Sequence, residues 1–495
     1  MTRRLTPRHA FVAFLLGTFL AQLAWIISLP TYAGIDEFDH VYKAASVARG
    51  ELMPTGPAAD GRGELVAVPA DIVRAAEPVC SSYIYTKHDN CHAVDQLGGG
   101  IVTVACAAAR YNPAYYLVVG TVARPFHGDA ANYAMRLATA IICGLLIAWA
   151  AAVVTTWSQS RWPLLALTIA TTPVLIYSTA ITSPNGINYA AGLLVWASLL
   201  GLVRYNAPAR PALLLTSFAT GSAVLVLTHT TGPLWLALIC FVTFWLRTPR
   251  EWWRLVRNHT RLVVGTAAVV TAFTLLSVAW TSLSGANSLG TNIVEHGALK
   301  AGVLLRTEIL WVLQSIAAFP TRTERAPTPV YPLWLILMGA AVGLAMAMGR
   351  RRDRAALGTL FALVLGVPAV LTVVSYAHVG LSWQGRYGLP LTVGLFLVAG
   401  WVLDQHASPA RTRIVVPLFV LTGTACAISV ADVALREMRV GVTHSVAHNI
   451  PGGLVIVVAL SILGSLVPVT VLLRREVRQP STVLASRPLE PEVAR

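Results

Sequence analysis

The sequence predicts an all-α polytopic membrane protein with about 12 transmembrane helices. Of 495 residues, 56% are hydrophobic and 12% charged. That is more apolar surface than one soluble core can hide, and it comes in repeated runs near the roughly 20 residues that span a hydrocarbon layer. The net charge of +15 lies largely in short arginine blocks between those runs. Such blocks orient helices by the positive-inside rule, so the charge does not point to nucleic acid.

Helices are expected over 10–29, 133–156, 162–181, 186–203, 211–228, 233–246, 262–282, 331–348, 355–376, 388–403, 414–432 and 453–473. Arg3, Arg4 and Arg8 precede the first run. That run is long for a cleavable signal and lacks a good small-residue cleavage site after it, so it reads as a retained helix with a cytoplasmic N-terminus. Alternation from there puts Arg247/Arg250/Arg254/Arg257/Arg261, Arg350/Arg351/Arg352/Arg354, Arg411/Arg413 and Arg474/Arg475/Arg478 all on the cytoplasmic side. Nothing in the helix assignment imposed that agreement. Residues 1–478 then form one transmembrane domain of the plasma (inner) membrane, and 479–495 form a disordered cytoplasmic tail. Trp252 and Trp253 in EWWRLVR read as an interfacial anchor.

Segments 30–132, 283–330, 377–387 and 433–452 fall outside the cell. The first is too long for a simple loop and predicts a small structure of its own. Within it, Asn112-Pro113-Ala114-Tyr115-Tyr116 opens an apolar stretch to Phe126 that is too short to span, which suits a re-entrant or surface-lying helix. In the second, Gly297–Phe319 predicts a helix along the membrane face, followed by TRTERAPTP.

Cys143, Cys240 and Cys426 fall in apolar runs as small packing residues, while Cys80, Cys91 and Cys106 lie in the first outer segment. In an oxidising compartment Cys80 and Cys91 would close a short loop, worth roughly 3 kcal/mol in the chain-entropy model. A zinc set of Cys80, His88, Cys91 and His92 is the alternative, although its spacing matches no standard zinc module.

Acids are scarce, which makes GIDEFDHVYKAASVARG, Gly34–Gly50, informative. A helix from Asp36 sets Asp36 and Glu37 within one turn of His40 and gathers two carboxylates and an imidazole beside the membrane. The plainer reading is a helix start with Asp36 as N-cap, and the two are compatible. A second constellation is SWQGRYGLP, Ser382–Pro390, in which Arg386 stands between Trp383 and Tyr387. Its guanidinium suits a phosphate, or it snorkels to the headgroups. No P-loop, dinucleotide fingerprint, GxSxG or HExxH motif occurs, so the corresponding chemistries have no support.

Taken in order, Asp36-Glu37-x-x-His40, Asn112-Pro113-x-Tyr115-Tyr116, Ser183-Pro184-Asn185 and Gln384-Gly385-Arg386-Tyr387-x-x-Pro390 resemble the bacterial membrane family labelled domain of unknown function 2142, grouped with the GT-C superfamily of polyprenyl-phosphate-dependent glycosyltransferases. Asn185 stands where an acid is common in that family. The resemblance implies a GT-C-like extracytoplasmic first loop carrying short helices. It also implies transfer of a sugar from a polyprenyl-phosphate donor to an envelope glycan or protein acceptor.

Under that resemblance Asp36 or Glu37 is the general base. Arg386, His40 and Arg322 face the donor phosphate, with Arg325 as a weaker candidate, and Tyr115, Tyr116, Asn112, Gln384 and Tyr387 line the substrate cleft. Asp36, Glu37 and Asp39 also offer oxygen ligands to Mg²⁺ or Mn²⁺, and metal-free GT-C mechanisms exist, so metal use stays open. A transporter or flippase of lipid-linked sugars is the competing class. The predicted spans carry essentially no charge at mid-depth, which suits surface chemistry better, although Pro173, Pro368 and Pro468 keep broken helices in play. A non-catalytic envelope assembly factor is the third.

Overall fold

The computed structural model describes residues 6–91, 100–205, 208–286, 299–321, 324–407 and 412–473. Arg322, His92, Arg411, the arginines from 474 onward and the expected tail lie outside them.

The first span is α1 (Pro7–Ser28), followed by the short α2 (Glu37–Val47). The outer segment then holds β1 (Gly56–Pro57), β2 (Glu64–Pro69), α3 (Ala70–Cys80), α4 (His88–Cys91) and β3 (Ile101–Cys106), and closes with α5 (Pro113–Ala123). The three strands form an antiparallel sheet in the order β1-β2-β3, with Val66 opposite Val104. The sequence reading expected short helices here and did not find the sheet.

The body continues with α6 (Gly128–Trp157), α7 (Trp162–Ala170), α8 (Pro173–Ser178), α9 (Pro184–Arg204), α10 (Pro211–Thr228), α11 (Gly232–Trp245), α12 (Pro249–Asn258) and α13 (Thr260–Ser284). After α14 (Ala301–Ile316) come α15 (Val330–Met348), α16 (Arg351–Val379), a 3₁₀ turn Gly385–Gly388, α17 (Leu389–His406), α18 (Thr412–Val440), α19 (Val446–Asn449) and α20 (Gly453–Leu473).

Prolines punctuate the helix starts. Among the described residues nine helices, including α1, α5, α9, α11 and α17, carry one at the first or second position, where no intrahelical N–H is required. Thr6, Asn112, Ser183 and Thr248 cap their helices with side-chain oxygens.

Ten helices among the described residues are long and apolar enough to cross a membrane, or eleven if the bent pair α11–α12 counts as one span. The expected span 162–181 is broken. Thr172 precedes Pro173, is extended, and separates α7 from α8. α12 turns away from α11 by 109°, because Pro249 and the Thr248–Glu251 capping box start a new helix there. Trp253 on α12 is 67% exposed, as an interfacial anchor requires. α14 leaves Leu305 and Ile309 exposed while burying Trp311, in keeping with a helix lying on a membrane face.

Following the chain up and down the spans places the described residues of 29–127, 229–231, 285–329, 380–388 and 441–452 at one end of the body. The blocks around Arg161, Arg247–Arg261 and Arg350–Arg354 lie at the other. α2 lies at the first end and is buried along its whole length despite the sequence EFDHVYKAASV. It packs on α5 at Gly120, where any Cβ would collide with the Ala44 carbonyl oxygen. Gly120→Val should force the two helices apart and lower stability by about 1–3 kcal/mol, measured as a fall in Tm of the purified protein in detergent.

Candidate functional site

α2 begins abruptly. Asp36 adopts the left-handed conformation (φ 55°, ψ 17°), one of two described non-glycine residues with positive φ. Aspartate tolerates that region better than most side chains. Asp36 occupies the N-cap position, yet its side chain caps nothing. Glu37 instead reaches back to the preceding turn, where its Oε2 accepts from Gly34 N at 3.0 Å.

The two adjacent acids therefore face different surroundings. Glu37 is fully buried and accepts from Arg136 Nε at 2.8 Å, Arg136 Nη2 at 2.6 Å and Thr182 N at 2.8 Å. Burial alone would raise its carboxyl pKa, but the Arg136 guanidinium and the two amides outweigh burial and hold it below the ordinary range. Its oxygens are occupied, and it does not line the cavity. The expectation that Asp36 and Glu37 are interchangeable candidates for the base gives way to a division of roles.

Asp36 faces a cavity of about 310 Å³, lined also by Asp39, His40, Arg62, Tyr83, Tyr85, Tyr111, Asn185, His229, Gln384 and Tyr387. Arg386 Nη2 donates to Asp36 Oδ2 at 3.2 Å across 350 positions of chain. Arg386 is itself only 3% exposed and meets the cavity through Asp36. Its turn is wedged against α14, where a Cβ at Gly385 would strike the Trp311 carbonyl oxygen and where the Gly385 amide donates to Gln314 Oε1 at 2.9 Å.

Arg62 brings the exposed cation. Its Nη2 lies 3.7 Å from Asp36 Oδ1 and 3.8 Å from Asp39 Oδ2, and its guanidinium sits 4.9 Å above the Tyr85 ring. Asp39 is buried, and burial pushes its carboxyl up to about 7 against the opposing pull of Arg62 and of the Ala107 amide, which donates to Oδ1 at 2.6 Å. His40 lies 2.9 Å from the Tyr116 hydroxyl through Nδ1, and burial takes its imidazole down to about 4. His229, tilted against Tyr111 and Tyr387, is likewise lowered to about 4 by burial and then by Arg386. Both rings are therefore neutral hydrogen-bonding groups at pH 7.

Of the residues expected on the cleft wall, Gln384 and Tyr387 line it. The other three serve it from behind. Asn112 caps α5 by accepting from Ala114 N, Tyr115 bonds Thr139, and Tyr116 holds His40. Two buried atoms here, Gln384 Oε1 and Arg386 Nε, have no protein partner. Of Asp36, Glu37 and Asp39, considered above as Mg²⁺ or Mn²⁺ ligands, Asp36 and Asp39 line the cavity and Glu37 does not, and no group of three or more His, Cys, Asp or Glu side chains that could hold a metal ion occurs among the described residues. Cys80 and Cys91 are disulfide-bonded, with Cα atoms 5.6 Å apart. The sequence reading missed Arg62, Tyr83, Tyr85, Tyr111 and His229. Tyr83 and Tyr85, two tyrosines within the disulfide loop, carry a sequence signal, whereas Arg62 and His229 carry none.

The family model described as "Predicted membrane protein (DUF2142)" matches residues 19–395. The chain belongs to the DUF2142 family. No curated protein matches it. The DUF2142 fold is similar to the crystal structure of ArnT from Cupriavidus metallidurans bound to undecaprenyl phosphate, at 16% identity and a TM-score of 0.43, covering 94% of this chain and 76% of that one. The apo form of the same protein gives 18% identity and a TM-score of 0.45, covering 94% and 75%.

Two stability predictions follow from the opposite environments of Glu37 and Asp39. Glu37→Gln leaves Arg136 buried without a counter-charge and should cost about 3–5 kcal/mol, read as a large fall in Tm or loss of folded protein. Asp39 has a folded-state pKa raised to about 7, so its contribution is full below the unfolded carboxyl value and is lost as pH rises toward 7. Asp39→Asn should therefore raise Tm relative to wild type more at pH 8 than at pH 5, as thermal melts at both pH values would show.

Proposed function

We propose that this protein is an integral-membrane glycosyltransferase that moves a sugar from a polyprenyl-phosphate donor to an envelope glycan or protein acceptor on the extracytoplasmic face. The observation that carries the reading is the meeting of Asp36 and Arg386 at 3.2 Å beside a polar, tyrosine-walled cavity at one end of a helical membrane body. The arginine blocks at the opposite end support a cytoplasmic assignment for that end, and with it cytoplasmic termini and a plasma (inner) membrane location.

The chemistry follows from the placement of charge. Asp36 is the carboxylate with room to act, since its side chain is 25% exposed while Glu37 is sealed. In an inverting transfer it takes the proton of the acceptor hydroxyl as that oxygen bonds to the anomeric carbon. The bond from that carbon to the donor phosphate breaks with its electron pair, and the released phosphate is stabilised by positive charge. Arg62 at the cavity surface supplies that charge, with Arg386 behind it holding Asp36. His40 and His229, both neutral, suit hydroxyl groups better than phosphate. Tyr83, Tyr85, Tyr111 and Tyr387 offer flat faces to sugar rings and to the first isoprene units.

Asp36→Asn keeps the left-handed backbone and an oxygen for Arg386, so it isolates the chemistry from the fold. Purified Asp36→Asn protein should lose transfer by about 10²–10⁴-fold in a lipid-linked sugar assay, with Tm little changed. Undiminished turnover would remove Asp36 as the base.

A further inference from the structure

Among the described residues lining the cavity, Arg62 is the one permanent cation, and its backbone and side chain are held very differently. The backbone is pinned from both sides by one buried residue. Asn90 Oδ1 accepts from Arg62 N at 3.0 Å, and Asn90 Nδ2 donates to Arg62 O at 3.1 Å and to Ala105 O at 3.0 Å. Asn90 is 1% exposed and adjoins Cys91, which the disulfide ties to Cys80. Next to it, Asp60 N donates to Asp89 Oδ2 at 2.8 Å, so the loop between β1 and β2 is stitched to the disulfide loop along its length.

The side chain is different. It is 48% exposed and stands 3.7 and 3.8 Å from the two carboxylates, beyond hydrogen-bonding distance of either. A charge on a fixed base but loosely engaged is built to change partner.

We propose that Arg62 is an exchangeable counter-ion. In the empty cavity it bridges Asp36 and Asp39, and the phosphate of the lipid-linked donor draws it away, with Asn90 as the positioning residue that keeps the guanidinium within reach of both. This rests on reading the cavity as a lipid-phosphate site. Because one guanidinium cannot fully serve carboxylates and phosphate together, the carboxylates compete with the phosphate for it. Donor binding thereby releases Asp36 for its work on the acceptor, and the site is held neutral until the donor arrives.

The test is equilibrium binding of undecaprenyl phosphate to the full-length protein in nanodiscs. Arg62→Gln should weaken binding about tenfold or more, since a charge-assisted phosphate contact is lost. Asn90→Ala should weaken it several-fold with Arg62 still present. The decisive variant is Asp39→Asn, which keeps an oxygen for the Ala107 amide and so preserves the local fold. Removing the competitor should tighten binding about three- to tenfold, and in an Arg62→Gln background the same change should have no effect. Tightening that persists without Arg62, or Asp39→Asn that fails to tighten, would overturn the exchange while leaving the lipid-phosphate reading intact. Wild-type protein that binds no undecaprenyl phosphate above its binding of neutral lipid would overturn both.

Discussion

The buried pair of Glu37 and Arg136 is the constraint on which the site end of the molecule depends. Arg136 projects from α6 into a fully buried position and uses its whole fork. It donates to Leu29 O at 3.0 Å and Pro30 O at 2.6 Å, with a longer contact to Ile26 O, and it meets both oxygens of Glu37. Ile26 and Leu29 bring carbonyls from the end of α1 and Pro30 follows it, so the arginine closes one helix while anchoring the start of the next. Thr182 N, in the turn before α9, adds a third element through Glu37 Oε1. Two charges buried without such a network would be costly, whereas here nearly every donor and lone pair has a partner.

Fixing Glu37 inward dictates what its neighbours do. Because α2 starts at Glu37 with Asp36 in a left-handed turn, the preceding carboxylate is thrown to the opposite side, into the cavity. Asp39 and His40, a turn further on, also face the cavity, while Lys43 reaches back to Leu52 O at 2.8 Å. The strain of a non-glycine residue in this region is small for aspartate and is overdetermined by the Arg386 and Arg62 contacts on one side and the Glu37 network on the other. The Glu37 network and the Arg386 contact thus aim the Asp36 carboxylate into the cavity.

The membrane class and most of the spans were legible because apolar length and arginine placement are direct consequences of the bilayer. The convergence of the acidic turn on the Gln384–Tyr387 turn could be anticipated from the resemblance, since both motifs fall on the same end of the chain's alternation. Side-chain direction could not be read. Asp36, Glu37 and Asp39 look equivalent along the sequence, and only the left-handed residue separates the sealed acid from the open ones. Arg136 reads as a stray charge near a helix end, and Arg62 as a loop residue, because each gains its role from a partner tens to a hundred positions away. The sheet was missed because β2 and β3 are six residues each and lie inside a segment read for membrane signals.

Charge balance links the cavity to its chemistry. Asp36 and Asp39 stand against Arg62 and Arg386, so the empty site is formally neutral while Asp39 is ionised. On the proposed reading, a donor phosphate would add negative charge to this balance. The site must take up a compensating positive charge or lose a carboxylate charge. Asp39, whose carboxyl already titrates near 7, is the group able to accept a proton, and Arg62 lies within reach of the incoming anion. Asp36 faces Arg386 at 3.2 Å. The three acids of one short helix start thus divide into a sealed anchor against Arg136, a buried carboxyl raised to about 7, and a carboxylate open to the cavity between Arg386 and Arg62.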